Sequence, residues 1–383
     1  MKAAGGDVIV AGAGLIGLAT AFELTQRGAI VRVYDRGAPA RAASWAGAGL
    51  LAPFTEVLHE PAMLELCVAS LSEYPRFVER VREAGGVDAK LRSGGVLHVA
   101  SDEGELAELR ERDRVLKSRG VVSELLARSA LLAAEPWLGP HVTGALLVRD
   151  EGSVDNRRLG RALASACEAS GVRIIKTASL RVECDARRVL GVATDLGFVA
   201  AGRVINACGA WAAQLEGPPP SCRPPVTPVK GQMLALGVPK DFVHRPTWAS
   251  HCYLVPRDDG RLLVGATVEA AGFDERPTAQ GTHDLLHAAL MAAPALASFS
   301  VTESWAGLRP GTPDGLPFLG ATPLDGFFLA TGHFRNGILL APITARLIAE
   351  AIEGTPAQAR ALRPFSIERV NAEESRPART TYA

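Results

Sequence analysis

The sequence predicts an α/β plus α+β protein, in which a Rossmann-like dinucleotide-binding domain is interleaved with a mixed-sheet domain. Three observations carry this. Asp7–Thr20 runs from a short apolar strand through a G-x-G-x-x-G turn into a helix, and the next β-rich run ends in Asp35. Residues 150–215 make a second helix-and-strand pass of the same kind. Residues 226–300 then change to strands with one helix, before 301–350 return to strand, turn, strand, turn and helix.

Each glycine of the first turn has its own reason. Gly12 permits the tight turn, Gly14 lets a pyrophosphate approach the backbone, and Gly17 lets the helix pack closely on the strand. The helix start, with Leu15 and Ile16 in its first turn, offers free N–H groups and a partial positive charge to phosphates. Gly28 ends the helix, Ile30–Tyr34 form the second strand, and Asp35 stands where it can accept hydrogen bonds from an adenosine ribose. The motif alone does not separate FAD from NAD.

Composition narrows the class. A length of 383 residues suits two domains, and 48% hydrophobic residues suffice for a large core. Lys plus Arg equals Asp plus Glu at 41 each, which argues against a nucleic-acid or anionic-membrane partner. Residues 8–22 resemble a signal h-region. They are interrupted by Gly12, Gly14, Gly17 and Thr20 and lack a basic flank, so they read as buried strand and helix. No other stretch reads as a membrane span. The six cysteines form no C-x-x-C and suggest a reduced, cytoplasmic protein. No metal site is expected: His283 and His287 share a helix face but lack a third ligand.

Residues 36–54 read as a loop of small residues, whose lack of bulk permits close approach of a large flat ligand. Helices are expected at 61–85, 103–119 (a solvated, charged face that includes Arg112), 129–138 and 157–170, the last announced by an N-cap signal at 153–156. Strands are expected at 95–100, 143–148, 172–175, 180–183, 203–206, 231–236, 253–256, 262–268 and 327–331, and a closing helix at 338–350. The nucleotide domain is thereby assigned 1–90, 145–217 and 303–369. The mixed-sheet domain takes 91–144 and 218–302, and 370–383 is expected to be a disordered tail.

Two arginines stand out. Arg309 lies in a Gly/Pro-dense run read as a loop, Trp305–Pro317, and Arg335 lies between a strand and a helix. A guanidinium fork suits a carboxylate, and two surface ion pairs are the plainer alternative. Tyr253 heads a strand, and His251 is placed two residues away on the same strand face. No nucleophile constellation appears, so redox chemistry on a bound cofactor fits better than hydrolysis.

The runs Asp7–Thr20, Ser44–Leu51, Asn206–Trp211, Trp305–Gly320 and Gly332–Pro342 resemble the FAD-dependent D-amino-acid oxidase superfamily, most closely its glycine oxidase (ThiO-type) members linked to thiamine biosynthesis. The resemblance covers the chain to about Arg369 and implies an FAD domain of the glutathione-reductase type beside a substrate domain. It implies FAD contacts from Gly12, Gly14, Leu15, Ile16 and Gly17, then Asp35 (where the family usually has Glu) and Arg36. Further contacts would come from Ser44, Ala48, Gly49 and Leu50, from Val182, from Ala207, Gly209 and Trp211, and from His333, Arg335, Asn336, Gly337 and Ile338. Gly307 and Leu308 replace the cysteine of covalent flavin enzymes, so non-covalent FAD is expected.

By the same resemblance Arg309 pairs with the substrate carboxylate, Tyr253 assists and Arg335 sits at the mouth; His251, from its place two residues from Tyr253, is a further candidate. The helix start at Gly337–Ile338 would face the flavin and stabilise its reduced, anionic form. The implied reaction is hydride transfer from a small amino acid or amine to flavin N5. It yields oxo acid, ammonia or amine, and hydrogen peroxide with dioxygen as acceptor. Oligomerisation, as a tetramer, follows by analogy only. Two alternatives stay open: a secondary-amine oxidase or dehydrogenase acting on sarcosine, proline or hydroxyproline, and a non-catalytic flavin subunit of an electron-transfer complex. An NAD-dependent dehydrogenase lacks support from the C-terminal half.

Overall fold

The computed structural model describes residues 7–354 and 361–371. Most of the tail expected to be disordered lies outside them, but Val370 and Asn371 end a short helix, Glu368–Asn371.

The first strand, β1 (Asp7–Ala11), is an apolar run buried on both sides, as the centre of a parallel sheet requires. Its side chains alternate: Val8 and Val10 join the core beneath the helices, while Ile9 and Ala11 join a second core on the opposite face. The six-stranded sheet runs Phe318–Ala321, Phe327–Thr331, Arg203–Asn206, β1, β2 (Ile30–Asp35), Arg173–Lys176. All neighbours are parallel except the outermost pair. The sheet thus draws on early, middle and late chain. On one face lie α1 (Leu15–Gln26) and the helices Pro61–Gly85, Asn156–Ala169 and Ala341–Glu353. Asp155 caps the third of these by accepting the Arg158 N–H at 2.9 Å. A three-stranded antiparallel meander, Leu180–Cys184, Val189–Thr194 and Gly197–Ala200, covers the other face.

The second large sheet has eight strands in the order Ser300–Gly311, Thr227–Gly237, Arg261–Gly265, Cys252–Pro256, Thr247–Ala249, Val96–Ala100, Gly144–Val148, Ser123–Ala127. One face packs Leu234, Leu254 and Val264 against Leu285 and Ala289 of helix Ala279–Ala292. The other packs Met233, Val255, Leu263 and Trp305 against Ala46 and Ala48 of the small-residue loop. That loop, which includes the short helices Ala43–Ala46 and Pro53–Glu56, is therefore the seam between the two sheets.

Several elements differ from the sequence reading. Arg309 is on the 12-residue strand Ser300–Gly311 and not in a loop. That strand is the outer edge of its sheet, where Pro310 can sit opposite Pro228 without disrupting a central ladder. Like Gly144–Val148, it belongs to the eight-stranded sheet and not to the sheet of the nucleotide domain; apolar runs do not announce which sheet they join. The closing α-helix starts at Ala341, with Pro342 in its first turn, and a 3-10 turn at Phe334–Asn336 precedes it. His251 is an exposed turn residue just before the strand Cys252–Pro256, so it does not share a strand face with Tyr253. Arg112 turns inward from the charged helix, its guanidinium 3.4 Å from both His98 Nδ1 and the Thr55 carbonyl.

The β1–α1 turn tolerates no side chain at Gly17, where a Cβ would lie 1.9 Å from the Gly12 carbonyl oxygen. Gly17→Ala is expected to destabilise the fold by about 3 kcal/mol or more. Thermal unfolding checks this, and a melting temperature equal to that of the parent would show that the turn yields.

Candidate active site

A cavity of about 570 Å³ opens between the two sheets, at the C-terminal end of β1. Its inner wall is the β1–α1 turn. Gly12 adopts φ 107°, and a Cβ there would lie 2.4 Å from the Ala207 carbonyl oxygen. Gly14 caps α1 without any side-chain cap, and no acidic residue stands in the first turn, so the helix start meets the cavity with its positive end unneutralised. Asp35 braces the turn: Oδ2 accepts the Ala13 N–H at 2.7 Å and Oδ1 the Gly37 N–H at 2.8 Å. Each oxygen keeps acceptor capacity for a hydroxyl.

The floor is the loop Ala43–Leu50, held from behind. Asn156 Nδ2 donates to the carbonyls of Ser44 (2.8 Å) and Trp45 (3.1 Å), and Trp305 Nε1 donates to that of Ala46 (2.9 Å). Arg257 Nη2 donates to the Ala48 carbonyl (2.7 Å) and to Asn156 Oδ1 (2.9 Å). Gly49, at φ 71°, lies so close to Val154 that a Cβ would stand 1.9 Å from its carbonyl oxygen. Ser44 itself reaches forward and accepts the Leu15 N–H at 2.9 Å. Across the cavity, Tyr74 and Ser70 donate to the carbonyls of Ile338 (3.1 Å) and Leu339 (2.6 Å), which fixes the turn after His333. His333 is buried beside Thr344, 3.0 Å away, and burial pulls it down to about 3, so its ring is neutral.

The outer end carries the charge. Arg309 reaches in from the edge strand, and its Nη1 donates to the Thr267 carbonyl at 3.1 Å. Room for it exists because Gly231, two residues along the neighbouring strand from the Val229 that pairs with Arg309, has no side chain: a Cβ there would lie 2.3 Å from Nη1. Gly265 gives Tyr253 the same clearance, 2.6 Å from its hydroxyl. Burial lowers the Arg309 pKa while Tyr253 opposes the shift, and burial raises that of Tyr253 while Arg309 opposes it. The pair is therefore a guanidinium beside a neutral phenol, an array of donors. Among the described residues neither Arg309 nor Arg335 has a carboxylate within 4.0 Å, which sets aside the ion-pair alternative. Arg335 is exposed at the mouth, its guanidinium 5.0 Å from the Phe334 ring.

The structure brings Arg309, Tyr253, Arg335 and His251 to one cavity, with Gly14, Leu15, Ile16, Ser44, Ala48, Gly49, Leu50, Ala207, Gly209, His333, Gly337 and Ile338. Gly12, Gly17 and Asn336 stand behind the lining. Asp35, Arg36 and Trp211 lie beyond its inner end, where the Arg36 guanidinium sits 4.1 Å over the Trp211 ring. Val182 is buried in the meander and donates its N–H to the Glu216 carbonyl at 2.9 Å, away from the cavity wall. Sequence reasoning misses Glu56, Met233, Trp248, Ala266 and Val268 in the lining. The glycines that flank Arg309 and Tyr253 across the sheet are the available signal for that end.

A family model described as FAD dependent oxidoreductase (DAO) matches residues 7–351, and the chain belongs to that family. It is 37% identical over 352 residues to a glycine oxidase of Pseudomonas aeruginosa, covering 91% of this chain and 94% of that one. It is 39% identical to a bifunctional protein ThiO/ThiG of Synechocystis, covering 90% of this chain and 51% of the relative. The crystal structure of glycine oxidase from Geobacillus kaustophilus superposes with a TM-score of 0.87 at 33% identity, over 95% of this chain and 98% of that one.

The residues present fit FAD. The uncapped α1 start offers N–H groups to a pyrophosphate, Asp35 offers acceptors to a ribose, and the glycine and alanine floor leaves the space that a Cβ-rich loop would fill. Arg257 is the cationic tie of that floor, and burial pulls it down to about 10. Arg257→Leu leaves two buried acceptors unpaired and is expected to cost about 2 kcal/mol or more. Denaturant unfolding of the holoprotein, followed by flavin release, reads this; release at the parent's denaturant concentration would remove Arg257 from the clamp.

Proposed function

We propose that this FAD-dependent oxidoreductase oxidises glycine and closely related small amines or D-amino acids, releasing the oxo acid, ammonia or amine, and hydrogen peroxide. The observation that carries the reading is the Arg309–Tyr253 array, a half-buried cation without a carboxylate within 4.0 Å among the described residues, at the end of the cavity opposite the β1–α1 turn. Such a group is matched by a small carboxylate, which gains a paired guanidinium and a phenol donor in a half-buried site.

The chain's residues divide the work. Asp35 and the β1–α1 turn hold the dinucleotide, with Arg36 and Trp211 stacked beyond it. The loop Ser44–Leu50 and the turn Gly337–Ile338 flank the cavity floor and roof. Arg309 and Tyr253 fix the substrate carboxylate, and with it the direction in which the Cα–H points. Arg335, solvent-exposed, draws anionic substrates to the mouth. Bound FAD supplies the two-electron acceptor that no side chain here provides, and dioxygen is the oxidant that regenerates it as peroxide forms. The helix dipole expected at Gly337–Ile338 acts a turn later, since the α-helix begins at Ala341.

Non-covalent attachment fits the lining, in which Cys252 is the single cysteine among the described residues. Burial pushes that thiol up to about 12, so it is protonated and a poor nucleophile. The reduced state of all six cysteines agrees with a cytoplasmic setting.

Removing a charge-assisted contact costs about 1.5–3 kcal/mol, roughly 10- to 150-fold in affinity. Arg309→Ala is therefore expected to raise the KM for glycine by that factor while FAD content is unchanged. Steady-state peroxide assays with a flavin-to-protein absorbance ratio test it. An unchanged KM would remove Arg309 from the carboxylate site.

A further inference from the structure

One charged group of the cavity takes no part in holding the cofactor or the carboxylate. Glu56, at the end of the short helix Pro53–Glu56, is the single carboxylate that lines the cavity among the described residues. Its side chain makes no hydrogen bond and no ion pair within 4.0 Å to any described residue. The segment that presents it is nevertheless rigid. Thr55 N donates to Glu151 Oε1 at 2.9 Å and Thr55 Oγ1 to Glu151 Oε2 at 2.8 Å, with His98 Nε2 also 2.9 Å from that hydroxyl. Glu151 is buried, and the Arg112 guanidinium closes the network against the Thr55 carbonyl. A free carboxyl group held out into a cavity by a locked backbone is positioned for a ligand.

The chemistry of the ligand follows from complementarity. An α-amino acid arrives as a zwitterion. Arg309 offers donors only, and the Tyr253 hydroxyl can add one more to its carboxylate; its ammonium group is matched by an anionic acceptor, and Glu56 is the lining carboxylate among the described residues. Resting on the proposed function, we propose that Glu56 is the amine-side partner of the substrate, pairing with the ammonium and taking one proton from it. One N–H bond breaks, one O–H bond forms, and the nitrogen keeps its electron pair, which leaves the neutral amine from which electrons can depart. The proton returns to water through the mouth beside Arg335 and His251.

The electrostatics support this role. Burial drives Glu56 up to about 7, against the pull of Arg335 and Arg309 and with a push from Glu151. The other titratable groups that act on it are uncharged at neutral pH: Tyr253 from the neighbouring strand and Cys67 from helix Pro61–Gly85, whose pKa values are both raised by burial. The carboxylate is thus present above about pH 7 and lost below it. Grip on an amine must strengthen as pH rises through that value, whereas grip on an amine-free acid must not.

The test compares 2-aminoisobutyrate, which has no Cα–H to lose, with isobutyrate, its amine-free counterpart, on the holoenzyme. Dissociation constants come from the perturbed flavin absorption between about pH 5.5 and 8.5. In the parent protein the preference for 2-aminoisobutyrate is expected to rise about tenfold per pH unit below 7 and then level off. Glu56→Gln is expected to flatten the profile and weaken 2-aminoisobutyrate at least tenfold, with isobutyrate held within twofold. Equal weakening of both ligands in Glu56→Gln, or a preference independent of pH in the parent protein, overturns the assignment. If Glu56→Gln does not retain flavin, the parent profile decides alone. Glycine added to the same parent sample separates the two proposals. Failure of glycine and other small amines to bleach the flavin would defeat the proposed activity, whereas bleaching with a flat preference would defeat the role of Glu56 only.

Discussion

The contact between the Gly12 carbonyl and the bare Cα of Gly17 sets the position of everything else at the site. It brings α1 down onto β1, so that the helix start opens at the end of the sheet, its Leu15 N–H held by Ser44 and no side-chain cap supplied by Gly14. On one side Ala207 donates its N–H to the Ala11 carbonyl at 2.8 Å, and on the other Gly12 N donates to the Tyr34 carbonyl at 2.8 Å. Three parallel strands drawn from residues 7–35 and 203–206 therefore end at one level, and the small-residue loop is laid across them. A chain with side chains at these positions would move the helix away, and the loop would lose its seat.

A second constraint is electrostatic. Arg309, Arg257 and Glu56 are charged groups placed where burial disfavours their charges, each without an oppositely charged partner within 4.0 Å among the described residues. Arg257 is compensated by two acceptors, the Ala48 carbonyl of the small-residue loop and Asn156 Oδ1 at the start of helix Asn156–Ala169. Arg309 and Glu56 are compensated only in part, and a pocket with unspent charge is suited to a charged ligand. On the proposed reading the two sheets divide this labour, the six-stranded sheet at the cofactor end and the eight-stranded sheet at the substrate end, where Ala46 and Ala48 pack on Met233, Val255, Leu263 and Trp305.

Much of this is legible in the amino-acid sequence. The order strand, G-x-G-x-x-G, helix, strand, acid locates the dinucleotide site because each step has one local physical cause, and the small-residue loop declares itself by its lack of bulk. The Arg309 strand is misread as a loop, because Gly307, Pro310 and Gly311 look like breakers when nothing tells the reader that the strand is an edge. His251 reads as a strand residue because the turn before Cys252 carries no glycine or proline to mark it. The closing helix reads as starting three residues early, since Gly337–Leu340 is a turn whose apolar residues have helical spacing. Glu56 is invisible for a different reason: its significance comes from Arg309 and Arg335, more than 250 positions away, and only the fold brings them together.

The central claim is that this cavity holds FAD at one end and a small amino acid at the other. Its most direct test is an anaerobic titration of the purified protein with glycine, followed by the flavin absorption band. The expected result is a yellow protein whose band bleaches with saturation in glycine and returns on admitting air. A yellow protein left oxidised by glycine, sarcosine and D-alanine alike would contradict the assignment of the substrate end, and a colourless protein that does not take up FAD would contradict the assignment of the cofactor end.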